Sequence, residues 1–188
     1  MLQVLILARS KQMLNLDALY QKGYQLAPYQ EPLLDFYRRA FKRTTFAEDT
    51  AIDLQDMPAP WPALVAALDD AYLQNLKPLY ESSDPGAGCN RLRFRSVAAA
   101  HAPFHYGAFR PLIVAVVPLS KQMCPLPFQV RNCLTHETCD LMIQSGNVLF
   151  LEGQTPLFEY QCTAKDDASG FVLEVMFSIP DFTDILGC

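Results

Sequence analysis

The sequence predicts an α+β chain, with N-terminal helices packed outside a β-sandwich of the jelly-roll type. Three observations carry this expectation. After Cys89 the hydrophobic period shortens, so that Leu92, Phe94 and Ser96 alternate with Arg91, Arg93 and Arg95, the pattern of a half-buried strand. The run LIVAVVPL at 112–119 is apolar throughout, as in a strand covered on both faces. Strand-like segments then recur at 128–133, 139–143, 148–152, 158–163 and 171–179, with turn-forming stretches at 145–147, 153–156 and 166–170 between most of them. Short strands at this spacing build sandwiches and jelly rolls.

The elements before the strands read as helices. Residues 14–20 have helical spacing, with Asn15 or Asp17 near the start. Residues 31–42 (EPLLDFYRRAFK) place Leu33, Leu34, Tyr37 and Phe41 near one face and Arg38, Arg39 and Lys42 on or near the other. Pro32 suits a first turn, and the basic residues at the C-terminal end suit the helix dipole. A proline-rich connector, DMPAPWP at 56–62, holds the only tryptophan, Trp61. A third helix is expected over 63–76, with Leu64, Leu68, Ala71 and Tyr72 as its apolar stripe, and a loop follows at 82–88 (SSDPGAG). The division expected is a helical extension over 1–55 and a β-domain over 56–188. Ile113, Val114, Val116, Val117, Val148, Phe150, Val175 and Phe177 are expected in the sandwich interior.

Composition bounds the function. Apolar residues make up 51% of the 188 and charged residues 19%, which argues for a packed core and against disorder. The formal charge is −5; residues 1–50 carry seven basic and five acidic side chains, and the remainder eight and fifteen. An acidic main domain repels a phosphate backbone, so no nucleic-acid partner is expected. For the same reason Arg91, Arg93 and Arg95 are read as a solvated strand face rather than a phosphate-binding comb. No apolar run approaches the roughly 20 residues of a membrane span. Six scattered cysteines, with nothing resembling a secretory signal, lead to an expectation of reduced thiols and an intracellular location. The first sixteen residues contain Arg9 and Lys11 but no acid and resemble a mitochondrial targeting segment. A mitochondrial location is therefore one expectation, and a cytoplasmic one the alternative.

No constellation of residues completes a catalytic set. His101 and His105 lie in a loop, AAAHAPFHYGAFR, whose flanks lack the carboxylate that a two-histidine, one-carboxylate iron site needs. Cys133, His136 and Cys139 form C-x-x-H-x-x-C, one ligand short of a structural zinc site; the reading adopted is a tight hairpin with core-facing thiols. There is no G-x-S-x-G nucleophile turn and no glycine-rich phosphate loop.

The order of elements carries a resemblance. Trp61-Pro62 at a helix start is followed by Asn90-Arg91-Leu92, by His101 eleven residues after Asn90, by a buried strand after Arg110, and by Gly146-Asn147-Val148-Leu149-Phe150. Over roughly residues 58–179 this resembles the AlkB family of iron- and 2-oxoglutarate-dependent dioxygenases. The resemblance implies a double-stranded β-helix fold. It also implies that His101 stands at the first iron-ligand position, Pro103 at the iron carboxylate and Tyr160 at the distal histidine. Val172 and Ser178 stand where the family has two arginines, and Leu92 where it has a tyrosine. Of the five positions for iron ligands and arginines, only His101 keeps the family's residue. Val172 has no guanidinium to pair with a 2-oxoglutarate carboxylate.

These departures lead to a non-catalytic reading, with no cofactor and no metal: an AlkB-like pseudoenzyme serving as an accessory subunit of a larger assembly, with other protein subunits as partners. The N-terminal arm, with Val4, Leu5, Ile6 and Leu7, needs covering by something, because a lone short helix is marginal in water. Two other readings compete. One is a divergent dioxygenase with ligands drawn from His101, His105 and Asp140 or Glu159. The other is a small-molecule-binding module without iron, its pocket lined by Asn90, Arg91, Arg93 and Arg110.

Overall fold

The computed structural model describes residues 14–29, 31–74, 90–97, 112–153, 157–164 and 170–177. His101, Pro103, His105, Arg110, Ser178 and the arm at Val4–Leu7 lie outside them.

Helix α1 (Leu16–Lys22) starts where the Asn15 side chain accepts the Ala18 N–H at 3.1 Å. It stops at Gly23, whose φ of +81° lets its N–H close onto the Leu19 carbonyl at 2.7 Å. Helix α2 (Glu31–Phe41) and helix α3 (Trp61–Tyr72) pack on each other. α3 begins two residues before the expected start, with Pro62 in its first turn and the Trp61 ring fully buried. The Trp61 indole N–H donates to Thr44 Oγ1 at 2.8 Å, which satisfies the one polar atom of that ring.

Among the described residues, nine strands form two antiparallel sheets. The major sheet has the order β1 (Tyr24–Pro28), β7 (Asn147–Glu152), β4 (Ile113–Pro118), β9 (Phe171–Phe177), β3 (Arg91–Ser96), β2 (Ala51–Asp53). The minor sheet has the order β6 (Thr138–Ile143), β5 (Leu126–Asn132), β8 (Phe158–Cys162). All seven strands expected from the sequence are present, and helices lie to the N-terminal side as expected. Two strands were not anticipated. β1 and β2, both from the first 55 residues, are the two edges of the major sheet.

Side-chain alternation sorts the core into two layers. Ile113, Val117, Val148, Phe150, Val175 and Phe177 lie on the face of the major sheet that packs against Leu34, Tyr37, Trp61, Leu64 and Leu68 of the helices. Val114, Val116, Leu149, Leu151, Val172 and Met176 lie on the opposite face, against Phe128, Val130, Leu141, Ile143 and Tyr160 of the minor sheet. The eight residues expected in the interior are all buried. Six of them, however, face the helices rather than the second sheet, because the major sheet is the middle of three layers. β4, buried at every position, is covered on both faces as its unbroken apolar run predicts.

One sequence expectation about charge is corrected. Arg38, placed by the sequence on or near the helix face opposite the apolar one, is 8% exposed, with its guanidinium 3.0 Å from Asp35. The expectation that falls is the solvated strand face of Arg91, Arg93 and Arg95, since Arg95 is buried and the other two half-buried. They point to the inner side of the sandwich, where acidic side chains meet them. Among the described residues, no helix is long and apolar enough to cross a membrane.

Candidate functional site

Two of the positions that the resemblance names, Tyr160 and Val172, face the space between the two sheets. Tyr160, on β8, is 2% exposed. Its hydroxyl donates to the main-chain carbonyls of Glu152 at 2.6 Å and Gly23 at 2.9 Å. One proton is thus shared by two acceptors at the end of β7 and the end of α1. Val172, on β9, is fully buried among Val114, Val116, Leu126 and Met176. Leu92 faces the helical layer instead, packed in the cluster that holds Trp61 and Phe94.

Asn90 immediately precedes β3 and is half-buried; its carbonyl accepts the Leu54 N–H at 2.8 Å. Arg91 Nε reaches Asp53 Oδ1 at 2.6 Å, across the β2–β3 pairing. Asn90, Arg91 and Arg93 are therefore neighbours along one strand start, with Arg91 and Arg93 each engaged by a carboxylate.

The sequence reading missed the carboxylate at the centre of this region. Glu174, on β9, is the direct cross-strand partner of Arg93 and has no exposed surface. Arg93 directs Nε (2.6 Å) and Nη2 (2.5 Å) to Glu174 Oε2. Arg95 Nη1 lies 3.6 Å from Oε1, and Arg95 Nε lies 3.0 Å from Asp49 Oδ1 at the rim. Burial pushes the Glu174 carboxyl above its ordinary range, against the opposing pull of Arg93 and Arg95. One signal in the sequence pointed here: FVLEVMF places a single acid in an otherwise apolar strand, and a buried acid needs cationic partners.

The remaining candidates sit elsewhere. Cys133 and His136 belong to the β5–β6 turn, where Asn132 Oδ1 accepts the N–H groups of Leu134 (2.9 Å) and Thr135 (3.1 Å). Cys139 is in the ladder opposite Val130, and its sulfur lies 3.1 Å from the Tyr24 hydroxyl. Asp140 accepts from the Gln129 amide at 2.9 Å, and Glu159 lies 3.5 Å from Arg131. Both alternate with inward-facing residues of their strands, so they lie on the outer face of the minor sheet, away from the interior.

The described residues do not fit an iron and 2-oxoglutarate centre at the positions the resemblance names. The Tyr160 oxygen is committed to two main-chain carbonyls, Val172 offers only methyl groups, and the buried carboxylate of Glu174 is held by arginines. Among the described residues no group of three His, Cys, Asp or Glu side chains gathers to hold a metal ion.

The sequence matches no protein-family model and no curated protein. The fold does have counterparts among solved structures. A prolyl-4-hydroxylase from Pseudomonas putida is 13% identical with a TM-score of 0.57, over 87% of this chain and 96% of that one. HygX from Streptomyces hygroscopicus, solved with nickel, 2-oxoglutarate and hygromycin B bound, is 12% identical with a TM-score of 0.57, over 93% and 88%. A prolyl 4-hydroxylase structure from Phytophthora capsici is 15% identical with a TM-score of 0.53, over 91% and 68%. At such identities the likeness is one of fold: the chain has the double-stranded β-helix seen in structures of Fe(II)- and 2-oxoglutarate-dependent dioxygenases.

Proposed function

We propose that this protein is a non-catalytic, AlkB-like member of the double-stranded β-helix proteins, and that it works as an accessory subunit of a larger intracellular, and on the character of its N-terminus mitochondrial, assembly. The observation that carries the reading is Tyr160. At the position that the resemblance gives to the distal iron ligand stands a phenol whose oxygen joins the two sheets through main-chain carbonyls. A neutral phenol held this way is a poor ligand, since binding a metal requires breaking both contacts. Val172 and the Glu174–Arg93 pair support the same reading, because neither leaves a guanidinium at the end of β9 for an oxo acid.

The subunit role follows from what remains once catalysis is set aside. The chain keeps a full three-layer domain, its main part is acidic, and its first sixteen residues are apolar and basic. Size-exclusion chromatography of the protein from its native source tests this role. The reading expects elution well above 21 kDa, with identifiable protein partners, and loss of that species when residues 1–13 are deleted. Elution as a free monomer, unchanged by the deletion, contradicts it.

A further inference from the structure

The geometry at the inner face of the β3–β9 pairing points to more than an ordinary ion pair. We infer that Arg93 and Arg95 form a carboxylate-binding site whose resident ligand is the chain's own Glu174, tethered there by β9 so that the site is closed to free carboxylates. The inference deepens the non-catalytic reading and rests on it in one respect: on that reading, a site already filled by Glu174 is a reason for a small oxo acid to be kept out of this side of the sandwich.

Three features support it. First, the two carboxylate oxygens are divided between two guanidiniums, Oε2 to Arg93 and Oε1 toward Arg95. A carboxylate flanked in this way is how proteins recognise free carboxylic acids. Second, the placement is fixed by the sheet. Arg93 and Glu174 are direct cross-strand partners, and β4 continues on the other side of β9 with Val116 opposite Glu174. Glu174 therefore shares its face with Val172 and Met176, in the apolar space between the sheets. Third, the neighbouring arginines have carboxylates of their own among the described residues: Asp49 Oδ1 lies 3.0 Å from Arg95 Nε, and Asp53 Oδ1 lies 2.6 Å from Arg91 Nε. Glu174 is the carboxylate that stands between Arg93 and Arg95. Remove it, and a buried positive site opens with room for a two- or three-carbon acid.

That consequence is the test. Glu174→Ala should melt below the wild type in chloride. Sodium acetate or propionate, at matched ionic strength, should raise its Tm by a few degrees and saturate with concentration, as ligand linkage requires. The wild type should respond to these salts as it does to chloride. Glu174→Gln is the control, because its amide still fills the space and leaves no room for acetate, so it should show no carboxylate-specific rise. If Glu174→Ala does not fold in chloride, its yield on refolding in acetate against chloride is the same readout. Equal behaviour of Glu174→Ala in the two salts, or a carboxylate-specific rise in the wild type, overturns the inference. Iron-dependent turnover by the wild type would instead overturn the non-catalytic reading and leave the rescue result to stand by itself.

Discussion

The Tyr160 hydroxyl, 2.6 Å from the Glu152 carbonyl, ties β8 of the minor sheet to the end of β7 in the major sheet. The same oxygen reaches the Gly23 carbonyl at 2.9 Å, and the Glu152 N–H also donates to Gly23 O at 2.9 Å. Three elements thus close on one point. Tyr160→Phe leaves the ring in place and removes the hydroxyl from a buried position. It should cost about 1–3 kcal/mol, read as a lower urea midpoint with an unchanged m-value. An unchanged midpoint would show that the bridge contributes nothing.

Gly23 stands at the same junction, and its conformation is required. Its φ is +81°, and a Cβ there would sit 2.6 Å from the Phe158 ring. Gly23→Ala should destabilise by more than about 1 kcal/mol. Adding Phe158→Leu should relieve only part of the loss, because the backbone strain persists. Full recovery in the double variant would assign the whole cost to the ring contact. Thermal melts of both variants decide.

Much of this architecture is legible in the sequence, and the illegible parts share a cause. β4 announces itself by eight apolar residues in a row, and β5 to β9 by alternation between turns. β1 and β2 do not: one ends on Pro28, the other is three residues long, and each is a strand only because β7 or β3 offers it a partner. Alternation also tells that a strand has two faces, but not what covers each, so Phe150 and Phe177 read as sandwich interior when they pack on helices. The site shows the same limit. Arg93 and Glu174 lie 81 positions apart, and no local pattern pairs them; Tyr160 and Gly23 lie 137 apart. Local periodicity finds elements, whereas the chemistry arises from pairings between them.

The buried pair makes a stability prediction of its own. Arg93→Met leaves Glu174 without its nearest cation and should cost about 3–5 kcal/mol. Arg93→Met combined with Glu174→Met removes both charges and should cost less than the single Arg93 change. A double-mutant cycle by urea denaturation measures the coupling. Additive losses would mean that the pair does not act as a unit.

Tyr24 gives a pH dependence. Its hydrogen bond to the Cys139 sulfur, with partial burial behind it, raises the phenol from 10.0 to about 12. The fold therefore favours the neutral phenol. Its contribution to stability is complete below pH 10 and is lost as pH rises through about 12, because the unfolded chain gives up that proton first. Cys139→Ala removes the larger cause and should bring the Tyr24 titration, followed by difference absorbance against Tyr24→Phe, back toward 10. A titration of Tyr24 that Cys139→Ala leaves unmoved contradicts the assignment.

The non-catalytic reading is tested most directly by calorimetry of the wild-type full chain with Mn(II) or Fe(II) together with 2-oxoglutarate. The account predicts no tight binding, because Tyr160 is bound to main chain, Val172 is apolar and Glu174 already stands between Arg93 and Arg95. Tight, stoichiometric binding that His101→Ala abolishes would contradict it and make the chain a divergent dioxygenase.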